Sequence, residues 1–252
     1  MVTFYICKSG NQSDLNNISR NIRFRPILGV GAFVVLAVTV IALLGAIRLT
    51  SIQAHLTGSL EPFYANPAYQ TDLMLENFPI YKQAYANSCG PTTISMLYSY
   101  LVEPISEQGL ADKLGVSLGK SGMLPTKFYN KLQSALEEAG YHVEHHVNVA
   151  DSAFLEQIYL QLKQGIPVPI YFSTVNAWDK PNFDTHYSVI IGIRPQNRQV
   201  VIANAYGFLE EMLISDLLIA VKYNNFRNAP VDFRLGLFVG LINQNNLFVI
   251  QK

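Results

Sequence analysis

Residues 83–102 read QAYANSCGPTTISMLYSYLV, and this stretch decides the fold. From Pro91 its apolar side chains recur at helical spacing and Pro104 ends the pattern, which predicts a helix over Pro91–Val102. Cys89 comes just before this helix, where free backbone N–H groups and the positive end of the helix dipole stabilise a thiolate. A thiolate is the reactive form of cysteine. The position therefore favours a nucleophile over the small buried hydrophobe that a free cysteine ordinarily is.

A nucleophilic thiol needs a base and a group that orients the base. His186 begins the apolar run THYSVIIGI, and Asn204 ends the run VVIAN. We predict that these runs pair as a hairpin across Pro195-Gln196-Asn197, because pairing His186 with Asn204 places the midpoint at residue 195. The oxygen of Asn204 could then bind one imidazole nitrogen and leave the other facing the thiol. Gln83, six residues before Cys89, could add its amide to the backbone N–H of the cysteine as an oxyanion donor.

These three blocks, Gln83-x5-Cys89-Gly90-Pro91, DTHYSVIIGI and VVIANAYG, together resemble the papain-like cysteine peptidases. More narrowly they resemble family thirty-nine, whose members process bacteriocin and quorum-peptide precursors after a double glycine. Within that family they resemble the stand-alone members most. The resemblance covers about residues 76–220. It implies that Cys89 is the nucleophile, His186 the base and acid, Asn204 the orienting residue and Gln83 an oxyanion donor. Ser88 stands where many members have Asp, and Asn204 where the third residue is often Asp, which weakens the inference of double-glycine specificity.

The chain around these residues has the pattern of an α+β domain, because early helices are followed by antiparallel strands. Helices are predicted at Pro91–Val102, Ser106–Leu114, Pro125–Ala139, Asp151–Gln164 (capped by Asp151) and 209–221. Strands are predicted at Tyr141–Val147, Val168–Phe172, His186–Ile193, Gln199–Ala203, Leu235–Ile242 and Leu247–Gln251. The resemblance implies the papain-like fold, in which N-terminal helices pack on an antiparallel sheet. We assign residues 76–252 to this domain, of which 222–252 lie beyond the resemblance.

Ile27–Ile47 is an uncharged run of 21 residues, long enough for a helix that crosses a bilayer. A buried core helix and a cleaved signal peptide are the alternatives, but the long charged lead and the length of the run favour an uncleaved anchor. Four basic residues precede the run, so the positive-inside rule places residues 1–26 in the cytoplasm and the rest outside. Residues 48–75 are predicted to be a juxtamembrane linker. We thus expect a single-pass protein of the cell membrane.

Charge and residue spacing exclude several classes of function. The chain has 18 basic and 18 acidic side chains, and the segment after the predicted span is net acidic without a basic cluster, which argues against nucleic-acid binding. His142, Glu144 and His146 would share one face of a strand and could suggest a metal site, but no further ligand follows at suitable spacing. We expect no metal and no cofactor. Cys7 lies in the predicted cytoplasmic tail, so Cys89 has no disulfide partner.

The sequence therefore predicts a membrane-anchored, extracytoplasmic cysteine peptidase that hydrolyses peptide bonds, with exported or leader peptides as candidate substrates. Acyl transfer or cleavage of cell-wall peptides on the same fold is the first alternative. A catalytically silent module that binds peptides is the second.

Overall fold

The computed structural model describes residues 25–119, 122–174, 183–223 and 229–252. It divides into two compact units, Met1–Ile47 and Arg48–Lys252. The second unit contains a seven-stranded sheet in which all pairings are antiparallel, in the order β2-β7-β3-β4-β5-β6, with β1 pairing with β4. The strands are β1 (Leu73–Met74), β2 (His142–His146), β3 (Val168–Ser173), β4 (Thr185–Arg194), β5 (Gln199–Asn204), β6 (Phe208–Leu213) and β7 (Leu247–Gln251).

The helices of the described residues are α1 (Arg25–Leu56), α2 (Glu61–Ala65), α3 (Cys89–Leu101), α4 (Glu107–Leu114), α5 (Pro125–Leu136), α6 (Asp151–Lys163), α7 (Ile214–Val221) and α8 (Val231–Val239). Helix α3 packs against β4 and against α4 and α5. One face of α5 is buried at Phe128, Leu132, Ala135 and Leu136, which recur with the 3.6-residue period of an amphipathic helix. The predicted α+β class and antiparallel sheet are confirmed.

The predicted membrane span falls on helix α1. The side chains of residues 25–32 lie outside the described residues, and the apolar side chains that follow are exposed, Phe33 at 72% and Leu36 at 62%. Within the part of the chain that the structure describes, no helix has both the length and the apolar character needed to cross a membrane. The predicted transmembrane helix at Ile27–Ile47 is thus not confirmed. The predicted tail lies outside the described residues up to position 24.

Residues 48–75, predicted as a linker, are folded in the structure. Leu56 is fully buried, and Phe63 of α2 is 2% exposed. Phe63 stacks on Tyr69 with ring centroids 5.2 Å apart, and Tyr69 lies 5.2 Å from the ring of Tyr159 on α6. Aromatic rings in this arrangement bury large apolar areas. These aromatic contacts attach the segment to the sheet-bearing unit.

Two predicted elements are wrong. Residues 209–221 were predicted as one helix, but Phe208–Leu213 forms β6 and the helix α7 begins only at Ile214. Leu235–Ile242 was predicted as a strand, but Val231–Val239 is the helix α8, which ends at Gly240 with φ of 84°. A short apolar run fits a buried helix as well as a buried strand, so its length and flanking residues must decide.

The predicted cap of α6 is also wrong. Ala150 occupies the N-cap position, and the carboxylate of Asp151 instead accepts a hydrogen bond from Lys222 Nζ at 2.7 Å. Asn245 donates to the other carboxylate oxygen at 3.0 Å. Asp151 and Lys222 are both buried, and their pair joins α6 to the end of α7, while Asn245 joins α6 to the segment before β7.

Candidate active site

Cys89 is the first residue of α3, two positions earlier than the predicted helix start. Ser88 occupies the N-cap position without capping the helix. Its hydroxyl accepts from Tyr85 N at 3.1 Å and donates to Tyr85 O at 3.0 Å, which closes the loop that precedes Cys89. A Cβ on Gly90 would lie 3.2 Å from Met123 Cβ and 3.7 Å from a ring carbon of Tyr187. The bare glycine therefore allows the helix start to lie close against Met123, in the segment that precedes α5.

The environment of the Cys89 thiol favours its neutral form. The side chain is 7% exposed, and this burial raises the pKa of the thiol. Backbone N–H groups of Tyr187, Gly90 and Cys89 itself lower the pKa, while the carboxylate of Asp184 raises it. The helix-start N–H groups expected from the sequence are present, but burial outweighs them. The N–H groups thus act in the direction expected from the sequence, while burial sets the net direction and raises the pKa of the thiol.

His186 and Asn204 are joined directly. His186 Nε2 lies 2.9 Å from Asn204 Oδ1, and the N–H of Tyr206 donates to the same oxygen at 3.0 Å. An amide oxygen only accepts, so Nε2 of His186 carries the proton and donates. In the neutral imidazole the other nitrogen, Nδ1, is then unprotonated and able to act as a base.

The predicted register of the hairpin is shifted. Ser188, not His186, lies opposite Asn204, and the pairing shifts between Ile190 and Gly192. The pair Arg194↔Gln199 closes the hairpin, so its centre lies later than the predicted midpoint. His186 shares a sheet face with Ser188 and is a diagonal neighbour of Asn204, a distance that side chains can bridge.

The imidazole of His186 is enclosed by aromatic rings. It stacks on Tyr206 with centroids 4.3 Å apart and planes at 13°, and Phe172 meets it edge-on at 5.7 Å. His186 is 2% exposed, and burial lowers its pKa from 6.5 to about 4, although the hydrogen bond to Asn204 and the carboxylate of Asp184 act to raise it. The ring is therefore neutral at neutral pH.

Three of the four predicted site residues come together in the structure. Asn204 bonds His186, and the N–H of Tyr187, the residue after His186, bonds the sulfur of Cys89. The cysteine at the start of α3 thus faces the beginning of β4, at the backbone of the residue that follows His186. A helix start and two sheet strands position this group, so each member is held by a rigid element.

Gln83 reaches the same region, but its side chain points elsewhere than predicted. Its backbone N–H donates to Ala205 O at 2.7 Å, which ties the loop to the end of β5. Its amide nitrogen donates to Tyr85 O at 2.8 Å and to Ala86 O at 3.0 Å. Both amide hydrogens are thus engaged within the loop. The amide oxygen is buried and has no hydrogen-bond partner among the described residues. The oxyanion role of Gln83 stays a prediction.

Sequence reasoning missed two acidic residues around this group. Asp184, two residues before His186, influences the pKa of both Cys89 and His186 and stands in the quoted block DTHYSVIIGI. Glu210 accepts a hydrogen bond from Asn204 Nδ2 at 2.8 Å. Glu210 can be placed beside Asn204 only if residues 208–213 form a strand that pairs with β5. The prediction of a helix at 209–221 does not include this pairing.

Two cavities adjoin the group. One of about 320 Å³ lies beside Asn204, with Phe172, Tyr206 and Glu210 among its lining residues. The other, of about 260 Å³, lies beside the start of α3 and is lined by Asn87 and Pro91 together with residues that precede and open α5. Among the residues that the structure describes, no three His, Cys, Asp or Glu side chains are grouped as metal ligands would be.

The histidines of β2 make other contacts. His146 Nε2 lies 2.9 Å from Glu144 Oε2. His145 lies 2.9 Å from Asn246 Oδ1 through its own Nε2, and its ring stacks on Phe248. These side chains lie on β2, whereas His186 lies on β4, so they are not part of the Cys89 group.

Comparison with known proteins gives a family match. Residues 75–228 match the model of the Peptidase_C39-like family. A C39-like peptidase structure from Bacillus anthracis is 15% identical and aligns over 72% of this chain and 98% of its own, with a TM-score of 0.47. The peptidase domain of Streptococcus ComA, a bifunctional ABC transporter involved in a quorum-sensing pathway, is 15% identical and aligns over 57% of this chain and 92% of its own, with a TM-score of 0.41. No protein of curated function matches the chain.

Proposed function

The chain belongs to the C39-like peptidase family, and on this premise we propose that it is a cysteine peptidase that hydrolyses peptide bonds with Cys89, His186 and Asn204. One observation carries the assignment of the residues. His186 Nε2 donates to Asn204 Oδ1 at 2.9 Å, so the free nitrogen of the buried imidazole is the one that can accept a proton. A base in this tautomer beside a thiol has the arrangement that nucleophilic catalysis needs.

In the proposed reaction the resting pair is a neutral thiol and a neutral imidazole. His186 Nδ1 takes the thiol proton as the sulfur attacks the substrate carbonyl, and the negative charge passes to the carbonyl oxygen. The imidazolium then gives its proton to the leaving amine, which departs and leaves a thioester on Cys89. Water, deprotonated by His186, hydrolyses the thioester and returns the thiol.

The developing oxyanion requires hydrogen-bond donors. We propose the backbone N–H of Cys89 as one of them, because the N–H groups of the first helical turn have no partner within the helix. Gln83 supplies a second only after its amide releases the carbonyl groups of Tyr85 and Ala86, to which it donates at 2.8 Å and 3.0 Å. Substrate binding in the loop would have to compensate for these two bonds.

The test uses a thiol-directed covalent probe and a mixture of synthetic peptides, including double-glycine leader sequences. The full chain, Cys89→Ala, His186→Ala and the matched control Cys7→Ser are compared. We expect labelling and cleavage in the full chain and in Cys7→Ser. In the double variant Cys7→Ser/Cys89→Ala we expect no labelling, and in Cys89→Ala we expect a loss of cleavage of roughly 10³-fold or more. Equal labelling of Cys7→Ser and the double variant would refute the proposal, and condensed products in mass spectra would indicate acyl transfer.

We further propose that helix α1 attaches the protein to the cell membrane with the peptidase domain outside the cytoplasm. The uncharged run Ile27–Ile47, the basic residues before it and the exposed apolar side chains on α1 support this location. In intact cells a membrane-impermeant maleimide should label a cysteine introduced at the exposed Gly58 and leave Cys7 unlabelled. Recovery of the full chain in the soluble fraction would contradict the proposal.

A further inference from the structure

We propose that Glu210 is a positioning residue, which holds the Asn204 amide in the orientation that makes His186 a base. This inference rests on the proposed function. Asn204 Nδ2 donates to Glu210 Oε2 at 2.8 Å, while Asn204 Oδ1 accepts from His186 Nε2 at 2.9 Å and from Tyr206 N at 3.0 Å. Every polar atom of this 2% exposed side chain therefore has a partner.

The orientation of the amide decides which imidazole nitrogen carries the proton. If the amide of Asn204 turned by half a rotation, its NH₂ group would face His186 Nε2, and that nitrogen would have to accept. The proton of the neutral ring would then move to Nδ1, the nitrogen that the proposed reaction needs as a base. The wrong tautomer of a catalytic histidine costs about 10⁴-fold in the serine-protease triad.

Glu210 selects the productive orientation because an ionised carboxylate can only accept hydrogen bonds. In the turned amide, Asn204 Oδ1 would face the carboxylate, so two acceptors would oppose each other in a part-buried site. The N–H of Tyr206 selects the same orientation from the other side, since it can only donate. The bond to Glu210 is the charge-assisted one of these contacts, and such bonds are roughly twice as strong as neutral ones.

The sheet places Glu210 where this contact forms. In the β5–β6 pairing Ile202 lies opposite Glu210, so Asn204, two residues further on the same face, is a diagonal neighbour. Glu210 also lines the cavity of about 320 Å³ beside Asn204 and remains partly accessible. The adjacent Glu211 faces the opposite way along the strand and bonds Arg194 Nη1 at 2.7 Å. Glu211→Gln is therefore a matched control that removes the same charge.

The experiment compares Glu210→Leu, Glu210→Gln and Glu211→Gln in the full chain with the wild type. The first readout is the tautomer of His186 from ¹⁵N NMR, which needs no substrate and no activity. We expect Nε2–H in the wild type and in Glu211→Gln, and a substantial Nδ1–H population in Glu210→Leu. Glu210→Gln can still accept through its Oε1 and should keep Nε2–H, which gives rescue by the conservative variant.

The second readout is peptide cleavage. Glu210→Leu should lower kcat by roughly 10²-fold with little change in KM, while Glu210→Gln should lose less than about tenfold.

A Glu210→Leu protein that keeps the Nε2–H tautomer would overturn the inference, whether or not the chain cleaves peptides. A shifted tautomer in a chain without peptidase activity would leave the inference standing and refute the proposed function. Should Glu210→Leu fail to fold, Glu210→Ala takes its place with the same expected tautomer shift, and an unchanged Nε2–H tautomer in folded Glu210→Ala would overturn the inference.

Discussion

The buried imidazole of His186 should make the protein less stable as the pH falls from 8 to 5. Burial lowers the pKa of His186 to about 4 in the folded protein, from 6.5 for an unperturbed side chain. Between these two pH values the unfolded chain binds a proton that the folded protein does not. The free energy of unfolding therefore decreases as the pH decreases through this range. This stability is fully present above pH 6.5 and is lost as the pH falls toward 4.

The size of the effect follows from the difference of about 2.5 between the two pKa values. At 1.36 kcal/mol per pKa unit the full loss is roughly 3 kcal/mol, and by pH 5 it reaches about 2 kcal/mol. His186 is 2% exposed, so solvent screening does not reduce this value greatly. Other titrating groups contribute to the measured slope as well, and a comparison with a variant removes their contribution.

The assay is chemical denaturation of the full chain at pH 8 and pH 5, followed by circular dichroism, for the wild type, His186→Gln and Cys89→Ala. Glutamine does not titrate and can still donate to Asn204, so the loss of stability in His186→Gln should be smaller by about 2 kcal/mol. Cys89→Ala should lose as much as the wild type, because burial and not the thiol sets the pKa of His186.

A resting thiolate–imidazolium pair would give the opposite result. It would raise the pKa of His186, and the wild type would then lose less stability on acidification than His186→Gln. An equal loss in both proteins would also refute the reasoning, since burial would then not govern the protonation of His186.

Two predictions concern the packing around the site. Lys222→Met should lower the free energy of unfolding by about 3–5 kcal/mol in denaturant titrations, because it leaves the buried Asp151 carboxylate without its cation. The double variant with Asp151→Leu should recover part of this loss, and an unrecovered loss would contradict the electrostatic explanation. Gly192→Ala should cost about 1–3 kcal/mol, because its Cβ would lie 2.6 Å from Met74 Sδ and 3.0 Å from Leu73 O. Gly58→Ala, at an exposed position, is its control, and equal melting temperatures of the two variants would be evidence against the close approach.

Many of the helices and strands were predictable because residues close in the sequence mark where each of them begins and ends. Gly115 and Gly140 adopt φ of 62° and 80°, a region that glycine occupies readily, and they directly follow the predicted helices Ser106–Leu114 and Pro125–Ala139. The strands around His186 and Asn204 are continuous apolar runs on either side of a turn. These signals act within a few residues of the chain, so the sequence alone reveals them.

The details that were missed depend on contacts between distant parts of the chain. FLEEML at 208–213 has apolar residues in adjacent pairs, which suits a helix, and only its pairing with β5 makes it a strand. The bonds of the Gln83 amide depend on the conformation of the loop before Cys89. Helix α8 does have a local signal in Gly240 at its end, and the predicted strand Leu235–Ile242 runs across this glycine.

The charges near Cys89 and His186 explain how a buried neutral pair would ionise during attack and not before it. The Asp184 carboxylate raises the pKa of both groups, so it favours the imidazolium and disfavours the thiolate. In the proposed reaction the thiolate charge disappears as the C–S bond forms, while the imidazolium persists until the amine leaves. Asp184 therefore disfavours the thiolate of a resting ion pair but stabilises the imidazolium that follows attack. Stabilisation of charge that exists only after the substrate reacts contributes to rate without favouring the free ionised enzyme.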